Sequence, residues 1–429
     1  MDTSTDAFAP FERALEAHRA APIVVDTFRH YYRQLVAGAS GLIAESDIEP
    51  VASLPDAEAL PPELVAAGRE ALARTVMIKL NGGLGTSMGL DKAKSLLIVK
   101  DGLSFLDIIA RQVLTLRRRH GAPVPLLFMN SFATEADTLE ALRPYPELAV
   151  PGLPLTFLQN KIPKVLEQGH RFPDAAWGER AWCPPGHGDL YTALHASGLL
   201  ESLLERGFTH AFVSNADNLG ASLELGILGY VSRGLPFLME AADRTAVDRK
   251  GGHLARRTGG GRLLLREVAQ CSPHDVGAFQ DVTRHRYFNT NNIWIDLRAL
   301  RALLGDSGGI FRLPLIRNRK PIDPRDPSSP AVVQMETAMG AAIELFDGAA
   351  AVRVPRSRFA PVKVCGDLLA LWSDAYALGD DGGLVARCQP PPLVLLHDRC
   401  YARIDDMRAR FPHGAPSLVD CRALDVHGL

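Results

Sequence analysis

The sequence predicts an α/β fold, in which a mostly parallel mixed sheet is flanked by helices. Short apolar runs recur at 75–80, 124–129, 210–214 and 236–240, and helix-like stretches separate them. Strands that alternate with helices in this way form mostly parallel sheets whose two faces are both covered. We therefore place an α/β domain at residues 75–365.

The stretch at 105–119 shows the clearest helical pattern. Ser104 can cap its N-terminus, and Asp107 follows three residues later, as in a capping box. Apolar side chains recur at spacings of three and four and form one face of the predicted helix. These side chains are Phe105, Ile108, Ile109, Val113 and Leu116.

The chain before the sheet, residues 1–74, is predicted to be a helical N-terminal segment. Phe8, Phe11 and Leu15 fall at spacings of three and four, and the stretch 56–74 is rich in helix formers.

Three further segments are defined by composition. Residues 249–261 are basic and glycine-rich, which predicts a hairpin or a mobile loop, and 321–330 is a loop by its proline content. Residues 366–429 form a short C-terminal segment with a helical pattern and no chemical motif.

Composition limits the class of protein. The chain has 429 residues, enough for two or three domains, with 47% hydrophobic and 22% charged residues, as in soluble globular proteins. The formal net charge of -2 gives no long-range attraction to nucleic acid or to an anionic membrane. We expect neither as a partner, and we expect local groups to bind any anionic substrate.

The expected compartment is the cytoplasm. The six cysteines are scattered without a C-x-x-C pair, which fits thiols in a reducing environment. The N-terminus lacks the apolar core of a signal peptide, and no run reaches the ~18 apolar residues that span a bilayer.

The most informative motif is the glycine-rich stretch at 79–89, which directly follows an apolar strand. Parallel sheets bind their ligands at this end of the strands, and glycines let backbone N–H groups approach phosphates closely. The spacing of Gly83, Gly85 and Gly89 is not G-x-G-x-x-G, and Leu90 excludes a Walker A loop. The motif therefore predicts phosphate binding of another type, with a simple glycine turn as the alternative.

Charged residues that suit phosphate chemistry follow. Lys92 and Lys94 lie just after the glycine loop and could neutralise a triphosphate, or form a solvated basic turn. Asn215 and Asp217 follow the run at 210–214, where a carboxylate can hold Mg²⁺ that bridges phosphate oxygens. The alternative for this pair is an Asx turn.

Other polar segments are less specific. Gly186 and Gly188 flank His187 and permit a tight turn that presents the imidazole or the main chain to a ligand, although a lone loop histidine is more often structural. The amides at 288–292 could bind sugar hydroxyls or make turns. The basic segment 355–363 could bring a cation to a phosphate or be an ordinary connection.

Together these segments resemble the eukaryotic-type UDP-glucose pyrophosphorylase family (UTP–glucose-1-phosphate uridylyltransferases). The matching segments occur in the family's order and cover roughly residues 75–365. They are KLNGGLGTSMG at 79–89, PLLFMNSF at 125–132, PPGHGD at 184–189, VSNADNLG at 213–220, FNTNNIW at 288–294, QMETAMGAAI at 334–343 and VPRSRFAPVK at 354–363.

The resemblance implies a Rossmann-like sheet of the nucleotidyltransferase type and a role for each matching residue. The expected nucleotide-binding residues are Leu80, Asn81, Gly82, Gly83, Gln159, Gly186 and Asp217, of which Gln159 and Gly186 contact uracil. The expected catalytic residues are Lys94 and Lys363, near the reacting phosphates. The expected sugar-phosphate-binding residues are His187, Asn215 and Asn291. Asp217 is the expected ligand of the cofactor Mg²⁺.

The implied reaction converts UTP and glucose 1-phosphate to UDP-glucose and pyrophosphate. The sugar phosphate is already ionised at pH 7, so its oxygen can attack the α-phosphate in line without a general base. Two alternatives stay open: a UDP-N-acetylhexosamine or broad-specificity UDP-sugar pyrophosphorylase, and a catalytically silent UDP-sugar-binding protein. An NAD-linked dehydrogenase is disfavoured by the glycine spacing.

The sequence departs from the family pattern in two places. The family's C-K-G-P-K-S is replaced by residues 90–95, LDKAKS, which keep Lys94 in register but lose the Gly-Pro turn. The family ends in a left-handed β-helix, and this chain ends at Leu429, about where that helix would start. We therefore expect a chain that lacks most of the β-helix, as a monomer or a small homo-oligomer.

Overall fold

The computed structural model describes residues 3–245, 248–249 and 251–428, so Lys250 of the predicted loop at 249–261 lies outside the described residues. The α-helices of the described part are α1 (Thr3–Ala17), α2 (Pro22–Val36), α3 (Glu63–Leu72), α4 (Phe105–His120), α5 (Glu135–Leu142), α6 (Leu190–Ala196), α7 (Leu199–Glu205), α8 (Leu225–Ser232), α9 (Val276–Gln280), α10 (Leu297–Asp306), α11 (Cys365–Trp372), α12 (Asp398–Tyr401) and α13 (Ile404–Arg410).

The strands are β1 (Ile48–Pro50), β2 (Thr75–Asn81), β3 (Ile98–Lys100), β4 (Leu103–Ser104), β5 (Leu126–Asn130), β6 (Thr156–Leu158), β7 (Ile162–Pro163), β8 (Val165–Leu166), β9 (Trp182–Cys183), β10 (His210–Asn215), β11 (Phe237–Asp243), β12 (His253–Arg257), β13 (Leu263–Arg266), β14 (Tyr287–Asp296), β15 (Ile316–Pro321), β16 (Ala331–Glu336), β17 (Ala350–Arg353), β18 (Tyr376–Leu378), β19 (Leu384–Ala386), β20 (Leu393–Leu396) and β21 (Ala423–Val426). The predicted α/β class is confirmed.

The chain forms two compact units, and each is assembled from separate stretches of sequence. Unit 1 comprises Met1–Asp56, Gln159–His210 and Arg233–Arg353. Unit 2 comprises Ala57–Leu158, Ala211–Ser232 and Val354–Leu429. The three sequence segments at 1–74, 75–365 and 366–429 stay a prediction about domains.

Unit 2 contains the parallel sheet that the sequence predicts. Its strands lie in the order β10–β2–β5–β6, and β5 runs parallel to both β2 and β6. All five residues of β5 are buried, as expected for a strand covered on both faces. Helix α4 begins with the predicted capping box, in which Ser104 accepts from the backbone N–H of Asp107 and the Asp107 carboxylate accepts from Ser104.

Unit 1 contains a mixed sheet centred on β14. Strand β11 is antiparallel to β14 and parallel to β17, while β12 pairs antiparallel with β1, β13 and β14. A bulge interrupts the β11–β14 ladder between Glu240 and Ala241, opposite Asn289–Asn292. A separate antiparallel sheet has the order β15–β16–β8.

The predicted N-terminal helices are present and form an aromatic core in unit 1. Phe8, Phe11 and Leu15 of α1 are buried against Phe28 and Tyr32 of α2. The ring centroids of Phe11 and Tyr32 lie 4.9 Å apart in a tilted arrangement, which is a favourable aromatic geometry.

The C-terminal segment differs from its prediction. Besides α11, α12 and α13, it contains the antiparallel pair β18–β19 and the parallel pair β20–β21. These strands have three or four residues each, which is too short for a strand period to show against the helical pattern around them. Within the described residues, no helix is long and apolar enough to cross a membrane.

Candidate functional site

The glycine loop of unit 2 follows β2 and folds back on itself. Leu84 and Ala93 form an antiparallel bridge, and the backbone N–H of Lys94 donates to the carbonyl of Gly83 at 3.2 Å. A Cβ on Gly85 would lie 2.3 Å from Leu90 Cδ1, so the Leu90 side chain packs directly against this glycine. A Cβ on Gly83 would meet nothing within 4 Å. Gly83 therefore has no packing reason to be glycine and leaves its backbone open to a ligand.

Leu80 and Asn81, which precede the glycines, make hydrogen bonds within unit 2. Asn81 is buried, and its Nδ2 donates to Asn130 Oδ1 and to Thr138 Oγ1, both at 2.8 Å. The carbonyl of Leu80 accepts from the N–H of Ala216 at 3.0 Å. Asn81 therefore contacts its own unit through the side-chain amide and leaves mainly backbone groups for a ligand.

The structure brings Lys94 to Asp217 in unit 2. Lys94 Nζ lies 2.7 Å from Asp217 Oδ2, and the two side chains are 18% and 21% exposed. Lys92 is exposed. The altered LDKAKS segment thus still brings Lys94 to the carboxylate that follows β10. The choice of Lys94 over Lys92 as the lysine nearer the reacting phosphate stays a prediction.

Lys363 lies beside a second carboxylate that the sequence analysis missed. The backbone N–H groups of Lys363 and Val364 donate to Asp367 Oδ2 at 2.7 and 2.9 Å. Burial raises the pKa of Asp367, while the nearby charges of Lys94 and Lys363 act in the opposite direction. The two predicted catalytic lysines therefore share one electrostatic environment in unit 2.

Asn218 fixes the loop that carries Asp217 to the segment that carries Lys363. Its Oδ1 accepts from the N–H of Ala360 at 3.0 Å, and its Nδ2 donates to the carbonyl of Arg358 at 3.1 Å. The N–H of Val362 donates to the Asp217 carbonyl at 3.3 Å. The turn is closed by a bond from the Asn218 N–H to the carbonyl of Asn215, also at 3.3 Å.

The carboxylates of unit 2 suit Mg²⁺ only together with a phosphate ligand. Among the described residues, no group of three or more His, Cys, Asp or Glu side chains could hold a metal ion. Mg²⁺ commonly takes one or two carboxylates plus substrate phosphates and waters. Asp217, whose Oδ2 is tied to Lys94, fits that pattern as a single ligand.

In unit 1, the predicted His187 turn is held against the residues after β16. The N–H of Gly188 donates to the Thr337 carbonyl at 2.8 Å, and the Thr337 N–H donates to the carbonyl of Pro185 at 3.0 Å. Gly186 has φ of +81°, and a Cβ there would lie 2.6 Å from the Thr337 carbonyl oxygen. Gly186 is therefore required by both its conformation and its packing.

His187 is presented as a neutral hydrogen-bond donor. Its Nδ1 accepts from the N–H of Met339 at 3.1 Å, which assigns the remaining proton to Nε2. Burial lowers the pKa of His187 to about 4, so the ring carries no charge near pH 7. The ring can thus donate from Nε2 without adding a charge.

Asn291 lies at the bulge of β14 in a conformation that is uncommon for a residue with a side chain. Its φ is +57°, in the left-handed region. Asn289 holds it there, because Asn289 Nδ2 donates to Asn291 Oδ1 at 2.8 Å and Asn289 Oδ1 accepts from the Asn291 N–H at 3.0 Å. Bulges and left-handed residues of this kind concentrate at functional sites.

A buried carboxylate that the sequence analysis missed supports this bulge. Glu240 is fully buried, and it accepts from Asn292 Nδ2 at 3.0 Å and from Trp294 Nε1 at 2.9 Å. Its carbonyl accepts from Thr290 Oγ1 at 2.7 Å. The only sign of this role in the sequence is that Glu240, an acidic residue, lies within an apolar run.

Gln159 begins the second stretch of unit 1, and its neighbour is fixed by Asp189. The Asn160 N–H donates to Asp189 Oδ2 at 2.6 Å, and Asn160 Nδ2 donates to Asp189 Oδ1 at 2.8 Å. Burial raises the pKa of Asp189 to about 7. The final residue of the PPGHGD motif therefore links Gly186 to Asn160, the neighbour of Gln159, and Gly186 and Gln159 are the two residues expected at uracil.

The predicted site residues are thus divided between the two units. Unit 2 holds Leu80, Asn81, Gly82, Gly83, Lys94, Asn215, Asp217 and Lys363, and unit 1 holds Gln159, Gly186, His187 and Asn291. A glycine loop after a parallel strand, with lysines beside a carboxylate, is an arrangement that binds and polarises phosphates. The fold and these groups define an α/β enzyme that acts on nucleotide phosphates.

Comparison with known proteins identifies the family. Residues 25–429 match the family described as UTP–glucose-1-phosphate uridylyltransferase. The chain is 41% identical over 363 residues to that enzyme from Saccharomyces cerevisiae, which covers 83% of this chain and 71% of the yeast protein. It is 39% identical to the Solanum tuberosum enzyme over 367 residues, with 84% and 74% covered. The chain belongs to the UTP–glucose-1-phosphate uridylyltransferase family.

Solved structures of related proteins lead to the same family. A UDP-glucose pyrophosphorylase mutant from Leishmania major, in complex with UDP-glucose, superposes with a TM-score of 0.92 at 42% identity. The alignment covers 99% of this chain and 91% of the Leishmania chain. The resemblance that the seven motifs indicated is confirmed.

Proposed function

We propose that this chain catalyses the reaction for which its family is named, the conversion of UTP and glucose 1-phosphate to UDP-glucose and pyrophosphate. The observation that carries the proposal is the Lys94–Asp217 pair beside Lys363 in unit 2, next to an open glycine loop. The related Leishmania major protein was solved in complex with UDP-glucose, which supports glucose as the sugar.

The reaction is a substitution at phosphorus. An oxygen of the sugar 1-phosphate forms a bond to the α-phosphorus of UTP, and the bond from that phosphorus to the bridging oxygen breaks. Pyrophosphate leaves with the bonding electron pair. The attacking oxygen is already ionised at pH 7, so positioning and charge stabilisation are the work left to the protein.

The lysines of unit 2 supply that stabilisation. Lys94 neutralises the nucleotide phosphates, and Lys363 offsets the negative charge that develops at the α-phosphoryl group. The backbone at Leu80, Asn81, Gly82 and Gly83 holds the nucleotide. Because a Cβ at Gly83 would meet nothing in unit 2, a phosphate can approach that backbone without displacing any side chain.

We propose Mg²⁺ as the cofactor, with Asp217 as its protein ligand. When bound, the ion neutralises phosphate charge and favours the departure of pyrophosphate. Asp217 is paired with Lys94, so a nucleotide phosphate that attracts Lys94 also frees the carboxylate. The single carboxylate implies that the ion binds together with the nucleotide.

The remaining residues recognise the substrates. Gln159 and Gly186 contact uracil, and Asn215 and Asn291 bind the sugar phosphate. His187 donates from its neutral Nε2 to the same ligand. A neutral donor binds a hydroxyl or a phosphate oxygen without competing for the charge that the lysines neutralise.

The proposed cellular setting is the cytoplasm, with the enzyme as a monomer or a small homo-oligomer and without nucleic acid or membrane partners. In the described part of the chain all six cysteines are free thiols, which fits a reducing compartment.

The test is pyrophosphate release from UTP and Mg²⁺ with one sugar 1-phosphate at a time: glucose, galactose or N-acetylglucosamine. We expect strong release with glucose 1-phosphate, which EDTA abolishes. A preference for N-acetylglucosamine 1-phosphate would replace the sugar assignment. Nucleotide binding by the folded protein without any release would identify a silent UDP-sugar-binding protein.

A further inference from the structure

We propose that Asp189 is a positioning residue that fixes the uracil-binding segments of unit 1 and so sets the selectivity of the enzyme for its base. The inference deepens the proposed function and rests on it in one respect, namely that Gln159 and Gly186 contact the base.

The geometry places Asp189 between two separate segments of the chain. Its carboxylate accepts from the backbone N–H of Asn160 at 2.6 Å and from Asn160 Nδ2 at 2.8 and 3.1 Å. On the other side, the backbone N–H of Asp189 donates to the carbonyl of Gly186 at 3.2 Å. One residue thus connects the immediate neighbour of Gln159 to Gly186 itself.

The bond to the backbone is the important one. A side-chain contact fixes one rotamer, whereas a hydrogen bond to the Asn160 N–H fixes the path of the chain next to Gln159. Gly186 is held independently, because the Thr337 N–H donates to the Pro185 carbonyl and the Gly188 N–H donates to the Thr337 carbonyl. Asp189 therefore sets the position of Gln159 relative to a turn that is already fixed.

Asp189 acts from behind the ligand-facing residues. It is 6% exposed, and it lines a cavity of about 30 Å³ together with Thr27, Tyr31 and Thr337. That cavity can hold one water molecule but is far smaller than a nucleobase site. The carboxylate is thus enclosed by its own unit, which makes it a positioning residue and not a substrate contact.

Selectivity follows from the difference between uracil and cytosine. The two bases have the same ring and differ in the hydrogen-bonding groups at one edge, so a site discriminates between them only if its donors and acceptors are held in place. Loss of the Asp189 link would let Gln159 move relative to Gly186. Binding of the correct base would weaken while binding of the wrong base would change little.

The experiment measures equilibrium affinity for UTP and CTP by calorimetry, together with KM and kcat for pyrophosphate release, in Asp189→Ala and Asp189→Asn. We expect Asp189→Ala to raise the Kd and KM for UTP by about tenfold, as for the loss of one buried hydrogen bond. The UTP-to-CTP affinity ratio should fall by a similar factor, with kcat within about threefold of wild type. Asp189→Asn keeps an acceptor for the Asn160 N–H and should restore most of the ratio.

The matched control is Asp296→Ala. Asp296 is 8% exposed in the same unit and also accepts from two backbone N–H groups, those of Arg298 and Ala299. We expect a similar loss of thermal stability and no change in the UTP-to-CTP ratio. An unchanged ratio in a folded Asp189→Ala protein would overturn the inference, as would an equal loss of ratio in the control.

If Asp189→Ala does not fold, Asn160→Ala carries the test. It removes the side-chain bonds that orient the Asp189 carboxylate toward the Asn160 N–H and should lower the ratio by about threefold. An unchanged ratio in a folded Asn160→Ala protein would overturn the inference, because the backbone bond depends on that orientation. The affinity measurement needs no turnover. If wild-type protein releases no pyrophosphate, the proposed function has failed while the UTP-to-CTP ratio still tests Asp189.

Discussion

The group around Lys94 in unit 2 and the group around His187 and Asn291 in unit 1 consist of different kinds of side chain. Lys94 and Asp217 form a direct ion pair whose side chains are about one-fifth exposed, on a loop that leaves Gly83 open. His187 and Asn291 are uncharged near pH 7, and backbone or amide hydrogen bonds hold them in place.

The difference follows from what each group would do. Negative charge develops at the phosphoryl group during the reaction, so cations already held near that position stabilise the transition state. A base or a sugar keeps its charge throughout, and it is discriminated by neutral donors and acceptors held in fixed positions. Substitution of the lysines of unit 2 should therefore lower turnover, whereas substitutions at the uncharged residues of unit 1 should alter affinity and stability.

The largest expected effect is that of Lys94→Met. Loss of the ammonium removes a charge from the developing transition state, and we expect kcat to fall by about 10²–10³-fold with little change in thermal stability. Steady-state pyrophosphate release measures it. Lys92→Met is the matched control, because Lys92 is exposed two residues away and should keep nearly full turnover. Equal losses in the two variants would contradict the assignment.

Two glycine substitutions sharpen the comparison. Gly186→Ala places a Cβ 2.6 Å from the Thr337 carbonyl at φ of +81°, and we expect the Tm to fall by about 5 °C. Gly83→Ala meets no atom within 4 Å and should leave the Tm unchanged while weakening UTP binding. The Tm of each variant, measured with and without UTP, distinguishes a loss of stability from a loss of UTP binding. A lower Tm in Gly83→Ala would show that this glycine is structural.

A smaller effect is expected from Asp217→Asn. The amide keeps the shape but is a poorer ligand for Mg²⁺, and we expect the Mg²⁺ concentration for half-maximal activity to rise by about tenfold. A titration of pyrophosphate release with Mg²⁺ measures it. Asp367→Asn is the comparison, because Asp367 is also a carboxylate of unit 2 but accepts from the backbone N–H groups of Lys363 and Val364 and is not the proposed Mg²⁺ ligand. A titration curve for Asp217→Asn that superimposes on wild type would remove the metal assignment.

The strands and the local signals of unit 2 could be predicted from sequence. The apolar runs mark β2, β5 and β10, and the capping box of α4 is present as expected. These features depend on residues close together in the chain. The pairing of Lys94 with Asp217 was not predicted, because 123 residues separate the two in the chain.

The long-range hydrogen bonds that hold the predicted site residues in place could not be predicted from sequence. Glu240 contacts Trp294 across 54 residues, and Asp189 contacts Asn160 across 29. The amides at 288–292 suggested a ligand or a turn, and the bulge with Asn291 in the left-handed region depends on the pairing of β14 with β11. Contacts of this kind depend on tertiary packing, which local periodicity does not encode.

A histidine pair of unit 1 lies outside both predicted groups and tests whether buried neutral rings there limit acid stability. The rings of His253 and His285 stack with centroids 3.9 Å apart, and both are fully buried. Burial, and then the charges of His285 and Arg244, lower the pKa of His253 to about 2. Burial also lowers the pKa of His285.

The sign of the pH effect follows from this lowered pKa. Below pH 6.5 the unfolded chain binds a proton at His253 that the folded chain does not bind, so stability falls as the pH falls from 6.5 toward 2. The limiting slope is about 1.4 kcal/mol per pH unit for one such group.

His253→Phe keeps an aromatic ring and removes the group that binds this proton, so the free energy of unfolding of the variant should match wild type at pH 8 and fall less at pH 5. Melting curves at the two pH values measure it, with the exposed His274→Gln as control. Because His253 lies outside the substrate-binding groups, KM and kcat at pH 8 should stay at wild-type values, and parallel pH curves for His253→Phe and wild type would show that the buried ring is not the acid-sensitive element.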